Sequence, residues 1–168
     1  MLKKILILIV AVTLILVYKN YSQPQQEEHV HHHAGFRVYI DGVLQDYSDA
    51  KYMNFTPCSE HEAKLTKEQE QMELAHLHDF VGDVVHTHRL GSKWGDLFEN
   101  SNIDLPKDKA LKGYINGIEN EDIMDTPIKE YTTAIFVVGN NEAGRGQEMI
   151  SVDYIKEVEG KSELCGVN

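Results

Sequence analysis

The chain has 168 residues, 42% of them hydrophobic and 8% aromatic, and a formal net charge of −11 at neutral pH. That apolar content is enough to bury one core and excludes a wholly disordered chain. The first 22 residues hold three lysines and no acid, so the remainder carries 13 basic against 27 acidic groups, a net −14 that argues against binding nucleic acid or anionic lipid.

Lys3 and Lys4 precede an apolar run over residues 5–18, shorter than the roughly 20 residues of an ordinary spanning helix and close in length to a secretory signal. The residues that follow (Tyr18, Lys19, Asn20, Tyr21, Ser22, Gln23) offer no pair of small side chains for signal peptidase, which favours an uncleaved anchor over residues 1–22. Two lysines before the run against one after it place the N-terminus inside and the domain outside, a single-pass signal-anchor topology at the cell membrane. Residues 23–28, QPQQEE, read as a linker. A His-rich domain is expected over 29–140, followed by a C-terminal extension over 141–168.

The domain opens with a hairpin pattern: residues 36–40, the turn pair Asp41-Gly42, then 43–47. Residues 66–75 are rich in helix formers, and Thr66 and Gln69 have capping-box spacing. Residues 93–100 form a second short helix with Ser92 as cap and Trp94, Leu97 and Phe98 on the buried face. A second hairpin is centred on Asn116-Gly117, and residues 133–138 make a buried strand ended by Gly139. After Gly146 only residues 149–158 have the pattern of an ordered element. Strands with short helices and no βαβ repeat predict the α+β class: a small β-rich domain with two short helices.

Nine histidines stand in this chain, and their spacing carries the chemistry. His29, His31 and His33 alternate, as do His76 and His78, and His86 and His88. Residues i and i+2 of a strand share a face about 6.6 Å apart, so two imidazoles there can converge on one ion. A hairpin centred on Gly82, with that glycine in the left-handed region, would pair His76 with His88 and His78 with His86 and bring all four rings to one face. Such a set suits zinc or copper. His33 can add a ligand, and Asp79 and Asp83 are candidates to fix the imidazole tautomers. Histidines on a solvated sheet face are the plainer explanation. The tract His29, His31 and His32 is expected to bind metal only loosely, and His61 to be merely exposed.

His61-Glu62 opens like a zinc-peptidase motif, but Leu65 stands where the second histidine must be. Phosphate loops, dinucleotide fingerprints and nucleophile elbows are absent. Cys58 and Cys165 would face an oxidising compartment and can form one disulfide; a buried thiol at Cys58 and a frayed Cys165 is the alternative.

The strings HAGFRVYIDG (33–42), KYM (51–53), HLHD (76–79), VVHTH (84–88) and WGDLF (94–98) together resemble an uncharacterised family of membrane-anchored extracytoplasmic prokaryotic proteins with paired His-x-His motifs. The resemblance spans residues 29–139. It implies the location and a small β-rich domain, and no activity. Gly35 stands where the family has an acidic residue and Trp94 where Thr-Leu is usual, so neither is assigned a role. The later hairpin and closing strand look like a β-grasp arrangement. Three functions follow from this reading. The first is a surface metal-binding protein that buffers, captures or transfers zinc or copper. The alternatives are a zinc hydrolase or lyase with Asp79, Asp83 or a glutamate as base, and a protein-interaction module.

Overall fold

A computed structural model describes residues 29–55, 65–139 and 148–161. The expected anchor and linker, His61, Cys58 and Cys165 lie outside the described residues. Among the described residues no helix is long and apolar enough to cross a membrane.

Alternating apolar residues and an Asp-Gly pair build the first hairpin, β1 (His29–Ile40) and β2 (Val43–Leu44). Its turn uses Asp41 (φ 51°) and Gly42 (φ 84°), the left-handed pair that matches strand twist. β2 is shorter than expected because the chain leaves the sheet to bury Tyr47 in the core. Helix α1 (Lys67–Met72) carries the expected capping box, with Gln69 N–H donating to Thr66 Oγ1 and Thr66 N–H to Gln69 Oε1. After β3 (Val84–Arg89) comes α2 (Trp94–Asn100). Its cap is Lys93, not Ser92: the Lys93 amide donates to Asp96 at 2.7 Å, while the Ser92 hydroxyl is already given to the Arg89 carbonyl. The second hairpin, β4 (Leu111–Ile115) and β5 (Ile118–Asn120), turns through Asn116 (φ 49°) and Gly117 (φ 79°). The chain continues into β6 (Thr133–Val138) and α3 (Val152–Glu159).

The six strands form one mixed sheet of order β2-β1-β6-β4-β5, with β3 pairing β1 beside β2. β1 organises it. Its amides at Gly35 and Asp41 bond toward the β6 side, where the strands run parallel, while the Phe36 amide bonds the Asp83 carbonyl on the other edge. Alternation then sorts the side chains. Ala34, Phe36 and Val38 join Val85, Ala134 and Phe136 on one face, against Trp94, Leu97 and Phe98 of α2. The opposite face carries Tyr39, Tyr114, Ile135 and Val137 at one end. At the other end, Ile150 and Ile155 pack on Val84, so the C-terminal residues cover part of that face.

The 76–88 segment differs from the expected hairpin in register. His76 pairs with His86 by reciprocal amide bonds of 3.0 and 2.9 Å, and the His88 amide bonds the Glu73 carbonyl. The left-handed residues are Asp79 (φ 57°) and Phe80 (φ 58°), and the Val81 amide closes that turn onto the His78 carbonyl. Gly82 has a different duty. A Cβ there would lie 2.4 Å from Ser48 N and Tyr47 C, so the glycine permits two backbones to touch. Gly82→Ala should destabilise the chain by about 1–3 kcal/mol through overpacking, seen as a lowered melting temperature. An unchanged melting temperature would mean that the two backbones do not approach.

Candidate metal centre

β1 and β3 pair antiparallel with His33 opposite His86 and His32 opposite Thr87. His33 and His86 therefore share a face, and His32 lies on the other. His31, two residues before His33, lies with it against His86 and His88, and the one register irregularity of the pair falls between His29 and His32. The 76–78 segment adds its own pair beside β3, with Leu77 turned into the core.

The outcome is a field of six imidazoles in mutual contact: His31, His33, His76, His78, His86 and His88. His86 is at its centre. Its ring centroid lies 3.7 Å from those of His33 and His78 and 5.3 Å from that of His31. His88 lies flat against His31 at 4.9 Å and against His76 at 5.6 Å. Five of the six rings are buried and His31 is exposed.

The group best placed to hold a metal ion is His31, His86 and His88, whose ligand nitrogens all lie within 4.8 Å of one another. Nitrogens around a tetrahedral zinc with bonds of about 2.1 Å stand about 3.4 Å apart, so side-chain rotation would have to bring these nitrogens closer to hold such an ion. The expected residues His33, His76 and His78 occupy the same face but fall outside that tight group. His31, which sequence reasoning assigned to a loosely binding tract, belongs to this group. Its alternation with His33 was the available signal, and the pairing of β1 with β3 was the missing one.

Tautomers follow from the hydrogen bonds. His76 Nδ1–H donates to the Met72 carbonyl at 2.7 Å, and His78 Nδ1–H to Asp79 Oδ2 at 2.6 Å. Each bond leaves the lone pair on Nε2. Asp79 thus sits where an orienting carboxylate is needed. Asp83 accepts from the Tyr154 hydroxyl at 3.1 Å, and burial raises its pKa.

Beside the rings lies a cavity of about 620 Å3, lined among others by His78, Asp79, Phe80, His86, Tyr154 and Glu157. No protein-family model, curated protein or solved structure matches this chain.

Burial, reinforced by neighbouring imidazoles, lowers the pKa of His33 to about 3 and that of His86 well below its ordinary value. Burial likewise lowers His76 to about 4, against the opposing bond to Met72, and lowers His78 and His31. These rings are neutral at physiological pH, the form that coordinates metal. The unfolded chain, with histidines near 6.5, takes up protons first as pH falls. Folding stability contributed by these groups is therefore complete above about 6.5 and is lost progressively toward pH 4 and below. The metal-free chain, in chelator, should show a melting temperature that drops steadily from pH 7 to 4.5. A flat profile would contradict the burial of the cluster.

Proposed function

We propose that this protein binds a transition-metal ion, zinc or copper, at the outer face of a membrane, where it buffers, captures or hands on the ion. The observation that carries the reading is the convergence of His31, His86 and His88. An all-imidazole set suits zinc and copper, and no cysteine or methionine thioether is needed to complete it. The location rests on the apolar run over residues 5–18 with its flanking lysines, and on the resemblance to membrane-anchored extracytoplasmic proteins. The strand order, with β1 and β6 parallel at the centre and a hairpin on each side, supports the β-grasp reading of the fold.

Equilibrium dialysis of the full-length chain in detergent against zinc and against Cu(II) tests the proposal. At least one equivalent should be retained near neutral pH, and His31→Ala, His86→Ala and His88→Ala should each weaken that equivalent by about tenfold or more. Absence of stoichiometric binding would sink the reading.

A second reading, a zinc hydrolase or lyase, is favoured by the cavity beside His78 and His86 with Asp79, Tyr154 and Glu157 on its walls. Three histidines leave a fourth position for water, and a carboxylate of the cavity can act as base. The cobalt-substituted chain separates the two: azide should perturb the visible spectrum of an open catalytic site and leave a closed, fully ligated site unchanged.

A further inference from the structure

Among the described residues, Phe55 and Phe80 are the phenylalanines left exposed, 57% and 58% respectively, and they meet each other. Their ring centroids stand 5.9 Å apart, edge to face, and both rings line the cavity of about 620 Å3 beside His78 and His86. That volume falls within the roughly 300–1,000 Å3 of small-molecule sites. Phe80 is held in this position against local preference. It and Asp79 are consecutive non-glycine residues in the left-handed region, at φ 58° and 57°, a conformation that bulky side chains keep only where the surroundings enforce it. The turn gives the two side chains separate duties. Asp79 Oδ2 accepts from His78 Nδ1–H at 2.6 Å, while the Phe80 ring is directed to Phe55 and solvent and not to the core. Another wall comes from α3, tied to the 78–83 segment by the bond from the Tyr154 hydroxyl to Asp83. The charged side chains on the lining are Asp79, Glu157 and Lys161. Glu157 and Lys161 pair with each other at 2.5 Å, which leaves the negative charge of Asp79 uncancelled by a cation of the lining. A carboxylate that accepts one hydrogen bond keeps further acceptor capacity.

We propose that this cavity binds a small aromatic amine, with its ring against Phe55 and Phe80 and its ammonium group at Asp79. An aromatic ring gains edge-to-face contact with the phenylalanine pair, and an ammonium group gains both a carboxylate and the face of a ring. An anionic ligand would meet Asp79 at a site whose remaining charges already neutralise each other. The site goes beyond the proposed ion and does not need it, since Phe55, Phe80 and Asp79 all lie outside the group of His31, His86 and His88.

Isothermal titration calorimetry of the full-length chain, stripped with chelator and held in lipid nanodiscs with empty nanodiscs as the blank, tests the site. The probes are phenethylamine and its anionic counterpart 3-phenylpropionate. One equivalent of phenethylamine should bind, and 3-phenylpropionate should bind at least about tenfold more weakly. Asp79→Asn should cost phenethylamine about tenfold in affinity and cost 3-phenylpropionate nothing. Phe80→Gly should abolish binding while the melting temperature stays level or rises, because glycine takes a positive φ without strain. Absence of phenethylamine binding overturns the site, and equal affinity for the two probes overturns the contact at Asp79 on which the choice of ligand stands. Wild-type binding by Phe80→Gly overturns the aromatic wall; a lowered melting temperature in that variant assigns Phe80 to folding and overturns it as well. Binding that appears only after zinc is added makes the ion the receptor and overturns a separate site. None of these results touches the ion reading, which dialysis against zinc and Cu(II) decides on its own.

Discussion

The antiparallel pairing that sets His33 opposite His86 is the constraint on which the rest of this molecule depends. Strand alternation propagates from that one pair. It sends Ala34 and Val85 to the core and holds His31, His33, His86 and His88 on the other face. β1 is hydrogen-bonded on both edges only from Gly35 onward, since β6 begins at Thr133 opposite that residue. Before Gly35 the β6 side is taken by the Tyr131 amide, which bonds the His33 carbonyl, and the approach of α3. The histidine-bearing end of the strand is therefore not roofed by the sheet's own apolar layer.

Burying imidazoles in this way opposes folding. Each polar group removed from water without a partner costs about 1–3 kcal/mol, and the cluster relieves part of that through the Met72 carbonyl and the Asp79 carboxylate. The opposing term is on the other face, where Trp94 and Phe98 meet Phe136 edge-on and Phe36 tilts against Trp94. An ion that binds the folded chain and not the unfolded one adds stability by mass action, in proportion to the logarithm of its free concentration over its dissociation constant. A bound ion and the core would thus act on the two faces of a single strand.

Local chemistry was legible in the sequence. Asp41-Gly42 and Asn116-Gly117 specify their turns because few other pairs take left-handed dihedrals twice in succession. Thr66 and Gln69 specify a cap, and residues 133–138 a buried strand. Long-range choices were not legible. Gly82 resembles a turn glycine, but its reason for being glycine is the backbone at Tyr47 and Ser48, more than thirty residues away, which no local pattern reports. Nothing in the alternation of His29, His31 and His33 says that the neighbouring strand carries His86 and His88. The approach of α3 has the same origin: residues 149–158 read locally only as an ordered element, and packing on Val84 brings Glu159 to 3.7 Å from His33.

The histidine face survives the altered register because the shift is even. Pairing His76 with His86, where pairing with His88 was expected, moves the segment by two residues, and side chains in a strand repeat every two. A shift of one would have sent His76 and His78 into the core and Leu77 to the surface. The single irregularity in the neighbouring pair falls between His29 and His32, which leaves the residues from His32 onward in strict alternation and places His31 within the irregular stretch. In consequence two of the three residues that could hold a metal ion, His86 and His88, are buried and fixed by the sheet, while the third, His31, is exposed on the irregular stretch. Under the proposed function, such a division places the preorganisation in β3 and the exchange step in His31: an ion can meet two preset nitrogens and be closed over, or released, by movement of one solvent-exposed ring.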